Sequence, residues 1–173
     1  MIRQSIFKQY KTFCGGGKIE IMKGYIKKDD HSHLFAISRF FAERGCHVQI
    51  TTNIHFKDEI YQAVFGGLIG SQYERKCPDL IIDGKFYEYE SYRSPFKKEK
   101  ISNMISKGLK QASRIIINNN KGASLRLIRK NIYNRSVIEQ QHIDEVWAYE
   151  KGQVRLLYKS NREPKSPILV AEP

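Results

Sequence analysis

The chain has 173 residues, with 30 Lys or Arg against 18 Asp or Glu, a formal net charge of +12 and 12% aromatic residues. That length suits one domain with a real core, and the aromatic share excludes wholesale disorder. No apolar run approaches the roughly 20 residues that span a bilayer, residues 1–9 lack the apolar core of a secretory signal, and Cys14, Cys46 and Cys77 are scattered with no paired spacing, so a cytoplasmic protein with reduced thiols and no membrane partner is expected.

In chain order, residues 1–30 read as an N-terminal extension, with a glycine turn at Gly15 to Gly17 and a short alternating segment, Lys18 to Met22, of strand type. HSHLFAISRFFAERG predicts a helix with Ser32 as N-cap, Leu34, Ile37 and Phe41 on one stripe, and Gly45 as its stop. CHVQITT is a β-branched strand. Asn53 to Lys76 is less regular, a flexible loop or lid with a short helix over Asp58 to Phe65.

PDLIIDGKFYEYESY carries the clearest local signal: Asp83-Gly84 between two apolar runs is a favoured two-residue hairpin turn. KKEKISNMISKGLKQA predicts an amphipathic helix with Ile101, Met104, Ile105, Leu109 and Ala112 inward and Asn103, Lys107, Lys110, Gln111 and Arg114 outward. RIIIN is a fully apolar strand of central type. SLRLIRKNIY is a second basic helix, with Ser124 as cap, Leu125, Ile128 and Ile132 inward, and Arg126, Arg129 and Lys130 outward. EVWAYE and QVRLLY form a closing hairpin about Lys151-Gly152, and residues 161–173 read as an extended tail. The expected fold is thus α/β (α+β), one mixed, largely antiparallel sheet with helices packed on it, over a domain of residues 31–160.

The charge is concentrated. Arg93 to Arg135 holds twelve Lys or Arg and one acid, Glu99, while the rest of the chain is nearly balanced. Such a region suits a phosphate-backbone binder, with Lys110, Arg114, Arg126, Arg129 and Lys130 as candidate contacts to nucleic acid. The plainer readings are solvated helices or a surface for an acidic protein.

Against this excess stand Glu88 and Glu90, two residues apart and therefore on one face of their strand. A two-residue turn at Asp83-Gly84 pairs Ile82 with Lys85, Ile81 with Phe86 and Leu80 with Tyr87, which puts Asp79 opposite Glu88. Like charges facing across a ladder are destabilising unless something compensates. A structural ion network with the following helix would do so; so would a divalent metal between Asp79 and Glu88, or a proton held for acid–base work on a phosphate gripped by Lys107. His31 and His33, at the first helix start, are further candidate bases, although histidines there more often cap or face solvent.

From about His33 to Lys159 the order of pieces resembles the C-terminal tRNase domains of contact-dependent inhibition toxins of CdiA type, within the barnase/EndoU/colicin/RelE-like nuclease group. The resemblance rests on AERGCHVQI, CPDLIIDGKFYEYES, ISNMISKGLKQASRIII and EVWAYEKGQVRLLY. It implies cleavage of RNA, with tRNA as a candidate substrate, without a metal cofactor, by attack of the ribose 2′-OH on its own phosphate. Asp79, Glu88 and Glu90 would then supply acid or base, with Lys107, Gln111, Arg126 and Arg129 holding phosphates, and an acidic immunity protein would be a partner. One departure stands out: Glu90 occupies the place where E-x-K has lysine, leaving Lys85 or Lys107 to substitute.

The same residues also resemble the PD-(D/E)XK metal nucleases, which would make Asp79 with Glu88 or Glu90 ligands for Mg and put Gln111 on the following helix. A third reading is a catalytically inactive nucleic-acid-binding module of a mobile element, which would bind RNA in a salt-sensitive way and cut nothing.

Overall fold

Asp83 and Gly84 both take positive φ, 46° and 76°, the backbone that a two-residue turn needs to match the strand twist. They join strands β4 (Leu80–Ile82) and β5 (Lys85–Glu90) in the expected register, Leu80 with Tyr87, Ile81 with Phe86 and Ile82 with Lys85. Around this hairpin the computed structural model, which describes residues 6–27, 29–95 and 97–161, places six further strands: β1 (Phe7–Thr12), β2 (Lys18–Met22), β3 (His47–Ile50), β6 (Arg114–Asn118), β7 (Glu145–Glu150) and β8 (Gln153–Lys159). The sheet runs β1 to β8 in sequence order. Pairs β2–β3, β5–β6 and β6–β7 are parallel and the other four antiparallel.

Each parallel step needs a crossover helix. α1 (His31–Ala42) links β2 to β3, α3 (Lys98–Gly108) links β5 to β6, and α4 (Leu125–Tyr133) links β6 to β7, while α2 (Glu59–Phe65) lies between β3 and β4. Strand alternation sorts the core. Val48, Ile50, Tyr87, Tyr89 and Ile116 pack against Leu34, Ile37 and Phe41 of α1. On the opposite face Ile115, Ile117 and Val146 meet Ile101, Ile105, Ile128 and Ile132 of α3 and α4, and Ile81 and Phe86 meet Tyr61 and Phe65 of α2. Ile115, Ile116 and Ile117 are all fully buried, as a strand covered on both faces requires. The result is an α/β sandwich of three layers.

Three local expectations change. Ser32 does not cap α1: the helix starts at His31 with Asp30 in the cap position, and the Asp30 carboxylate instead accepts from Ser91 Oγ at 3.1 Å, across the end of β5. α3 stops at Gly108 rather than continuing to Ala112, and residues 109–111 turn back. A Cβ on Gly108 would sit 2.8 Å from Ile115 Cγ2 and 3.2 Å from Glu90 Cγ, so glycine lets the helix end lie on the sheet. Arg114 therefore opens β6, where its guanidinium pairs with Asp144 at 2.8 Å.

Residues 7–22 are built into the sheet, since β2 pairs with β3 and Ile19 enters the α1 core. The hairpin's return passes against the end of α1, where a Cβ on Gly17 would lie 2.0 Å from the Ala42 carbonyl oxygen. That neighbour is backbone and cannot swing aside. Gly17→Ala is expected to cost about 2–3 kcal/mol, a fall in melting temperature on the order of 5–10 °C for a chain of this length, measurable by circular dichroism. An unchanged melt would mean that the hairpin does not pack on α1. Residues 162–173, which include nearly all of the expected tail, lie outside the described residues.

Candidate active site

Because β5 alternates, Tyr87 and Tyr89 face α1 while Phe86, Glu88 and Glu90 face α2 and α3. Carrying the β4–β5 register one step outward puts Asp79 beside Glu88. Asp79 is held there from both sides: its carbonyl accepts from Thr51 N–H at 3.1 Å and its Oδ2 from Tyr89 N–H at 3.3 Å. Glu88 and Glu90 are 8% and 1% exposed, which is unusual for carboxylates.

The two glutamates are treated differently. Glu90 Oε2 accepts from Lys107 Nζ at 2.9 Å, whereas Glu90 Oε1 and Glu88 Oε2 are buried without a hydrogen-bond partner. Burial, reinforced by the charges of Asp79 and Glu90, pushes the Glu88 carboxyl up to about 9. Burial also raises Glu90, against the opposing pull of Lys107, and Lys107 is raised in turn, chiefly by its hydrogen bond to Glu90. At neutral pH, Glu88 is therefore a carboxylic acid able to give a proton. The lysine side chain is 70% exposed, so its cationic head faces the space above the acids.

That space is a cleft of about 470 Å³, lined by Asp79, Glu88, Glu90, Lys107 and Gln111 together with Arg75 and Lys76. All five candidate catalytic residues thus meet in one place. Lys110 lies outside this cleft, lining neighbouring depressions, Arg114 is paired with Asp144, and Arg126 and Lys130 line a separate depression on the exposed face of α4, which also carries Arg129. His31 Nδ1 stands 3.0 Å from Tyr25 Oη, and His33 Nδ1 3.0 Å from Asn118 Nδ2; neither histidine lines the cleft.

Arg75 and Lys76 were not singled out by sequence reasoning. Arg75 takes φ 67°, a region that costs a non-glycine residue free energy, and its guanidinium lies 4.9 Å from the Phe56 ring centre. Tyr61 Oη donates to the Lys76 carbonyl at 3.1 Å, which fixes the next residue. The available signal was two adjacent cations just before Pro78-Asp79. Cys77 also lines the cleft, but burial pushes its thiol up, so it is no nucleophile near neutral pH.

Among the described residues no three His, Cys, Asp or Glu side chains form a group that could hold a metal ion. Magnesium, however, is commonly held by one or two carboxylates plus waters and substrate phosphate. The unpartnered Glu88 Oε2 beside Asp79 fits that smaller donor set. None of the described helices is long and apolar enough to cross a membrane.

No curated protein and no solved structure matches the chain. A family model does: the contact-dependent growth inhibition CdiA C-terminal domain, over residues 76–154. The matched span begins at Lys76, runs through the β4–β5 hairpin, α3, β6 and α4, and ends just inside β8. It includes Asp79, Glu88, Glu90, Lys107 and Gln111, and it suggests a toxic function of nuclease type. Residues 76–154, which supply the acids of the cleft and Lys107, are thus the part of the chain that is similar to the contact-dependent growth inhibition CdiA C-terminal domain.

Proposed function

We propose that the chain is a toxin ribonuclease that cleaves a phosphodiester bond of tRNA or a tRNA-like RNA in this cleft, without needing a metal. The observation that carries the reading is the convergence of a buried, proton-bearing Glu88, a neighbouring Asp79 carboxylate and the Glu90–Lys107 pair. Asp79 takes the proton of the ribose 2′-OH as O2′ bonds to phosphorus. Glu88 gives its proton to O5′ as the P–O5′ bond breaks, leaving a 2′,3′-cyclic phosphate. Lys107, with Arg75 also lining the cleft, offsets the charge that builds on the phosphoryl oxygens. The +11 segment from Arg93 to Arg135 draws the polyanion in, and an immunity partner would cover the cleft with an acidic surface.

A second reading is favoured by the helix–strand–hairpin–helix–strand order of α1, β3, β4, β5, α3 and β6 and by the pairing of Asp79 with Glu88. There the two carboxylates would hold magnesium, which would supply Lewis-acid stabilisation of the phosphate when bound. Incubating the purified protein with total tRNA and with plasmid, each with and without EDTA, separates the two. Cyclic-phosphate tRNA fragments that persist in EDTA are expected; cleavage only with added magnesium, or of plasmid, would replace the first reading with the second, and no cleavage in any arm would remove both.

A further inference from the structure

We propose that the cleft continues into a track for a single-stranded RNA segment, running from Lys76 past Lys110 to His142. The identity of the ligand rests on the nuclease reading; the track itself rests on continuity. Lys76 lines the cleft and also a second depression shared with Tyr73, Leu109 and Lys110. Those three residues line in turn a third depression, closed at its far end by Gln140 and His142. Three hollows thus adjoin through shared walls, and the first is the candidate active site.

The walls suit one strand better than two. On one side stands the loop that carries Tyr73 and Lys76, and on the other the turn after α3 with Leu109 and Lys110. A double helix presents its phosphates on a convex surface, whereas a bounded trough admits a strand whose bases are unstacked. Lys76 and Lys110 both line it as cations for phosphate, and Tyr73 with Leu109 adds apolar lining. The far end is held by local contacts: Gln140 takes φ 53°, Gln141 N–H donates to the Arg135 carbonyl at 2.8 Å, and two acids there are engaged, Glu139 by Arg135 at 3.5 Å and Asp144 by Arg114 at 2.8 Å and by His142 at 3.1 Å. The depression on α4, lined by Arg126 and Lys130, shares no wall with the track, so that basic face is a distinct patch, suited to the outside of a folded RNA.

The test uses the whole wild-type chain in EDTA with a fluorescein-labelled 2′-O-methyl RNA of about 12 nucleotides, which cannot undergo attack by its own 2′-OH, as a single strand and as a blunt duplex. Affinity is read by anisotropy over a range of salt. The double variant Lys76→Ser with Lys110→Ser is expected to weaken the single strand roughly tenfold and to reduce the salt slope by about 1.4, ~0.7 per lost phosphate contact, while duplex affinity changes less than about twofold. The triple variant Arg126→Ser, Arg129→Ser, Lys130→Ser is expected to weaken both probes alike. Both sets are surface changes, and matching melting temperatures confirm folding. A double variant that binds the single strand within twofold of wild type, or that loses both probes equally, overturns the track. Should the wild type cleave no RNA while this pattern of affinities holds, the nuclease reading falls and the track stands; cleavage without the pattern gives the reverse.

Discussion

Glu88→Gln is expected to slow RNA cleavage by about 10²–10⁴-fold and, at the same time, to stabilise the fold above neutral pH. The stability half follows from where the proton sits. The folded chain holds Glu88 up to about 9, against an ordinary value of 4.5, so between those limits the native state keeps a proton that the unfolded state releases. Wild-type stability therefore falls as pH rises from about 4.5 to about 9, and each unit of difference is worth about 1.4 kcal/mol. By pH 7 the accumulated penalty is on the order of 3 kcal/mol for so buried a group. Glutamine keeps the shape and cannot ionise, so thermal melts of the two proteins should coincide near pH 4.5 and separate by several degrees at pH 8, the variant melting later. The functional half follows from the same proton: removal of a general acid costs about 10²–10⁴-fold in rate, and wild-type cleavage should itself decline as pH passes Glu88's own value. A variant that cleaves like wild type, or that melts no later at pH 8, would show that this carboxyl neither stores nor delivers a proton.

How much of this was readable in the sequence depends on the range of the interaction. The Asp83-Gly84 turn was readable because positive φ at two successive residues is a local demand that few residue pairs meet; from it the register, and hence the meeting of Asp79 with Glu88, followed by counting. The buried Ile115 to Ile117 strand and the Ser124 cap, which accepts from Leu127 N–H at 3.2 Å, were equally local. The missing lysine of the E-x-K pattern was not, since Lys85 and Lys107 were both available. Only three-dimensional packing separates them: Lys107 reaches Glu90 from the last turn of α3, while Lys85 lines a depression with Arg44, Cys46 and Trp147 at the opposite end of β5. The end of α3 was misplaced because the apolar and basic periodicity runs on past Gly108, and what stops the helix is its approach to Ile115 and Glu90. Arg75 was hidden for a similar reason, its position being set by the Phe56 ring and by the Tyr61 hydroxyl rather than by any pattern in the loop.

Lys107→Ala is expected to reduce cleavage by about 10²–10³-fold, the usual cost of losing one preorganised group that meets the transition-state charge, with little change in stability. The two effects separate because the ion pair is one-sided. Glu90 is buried, but the lysine side chain is 70% exposed, so solvent screening leaves the pair worth little to the fold, and loss of the lysine moves a carboxyl already raised by burial further toward protonation. Such protonation limits the penalty of an uncompensated buried charge. Lys107→Arg should recover part of the rate, because the charge returns with altered reach. Glu90→Gln should retain more activity than Lys107→Ala, since it frees the ammonium from its partner while leaving it at the cleft. Single-turnover rates and melting curves on the three variants provide the check: an alanine variant that cleaves at the wild-type rate would reduce the Glu90–Lys107 pair to a structural contact and leave Arg75 to meet the phosphate alone.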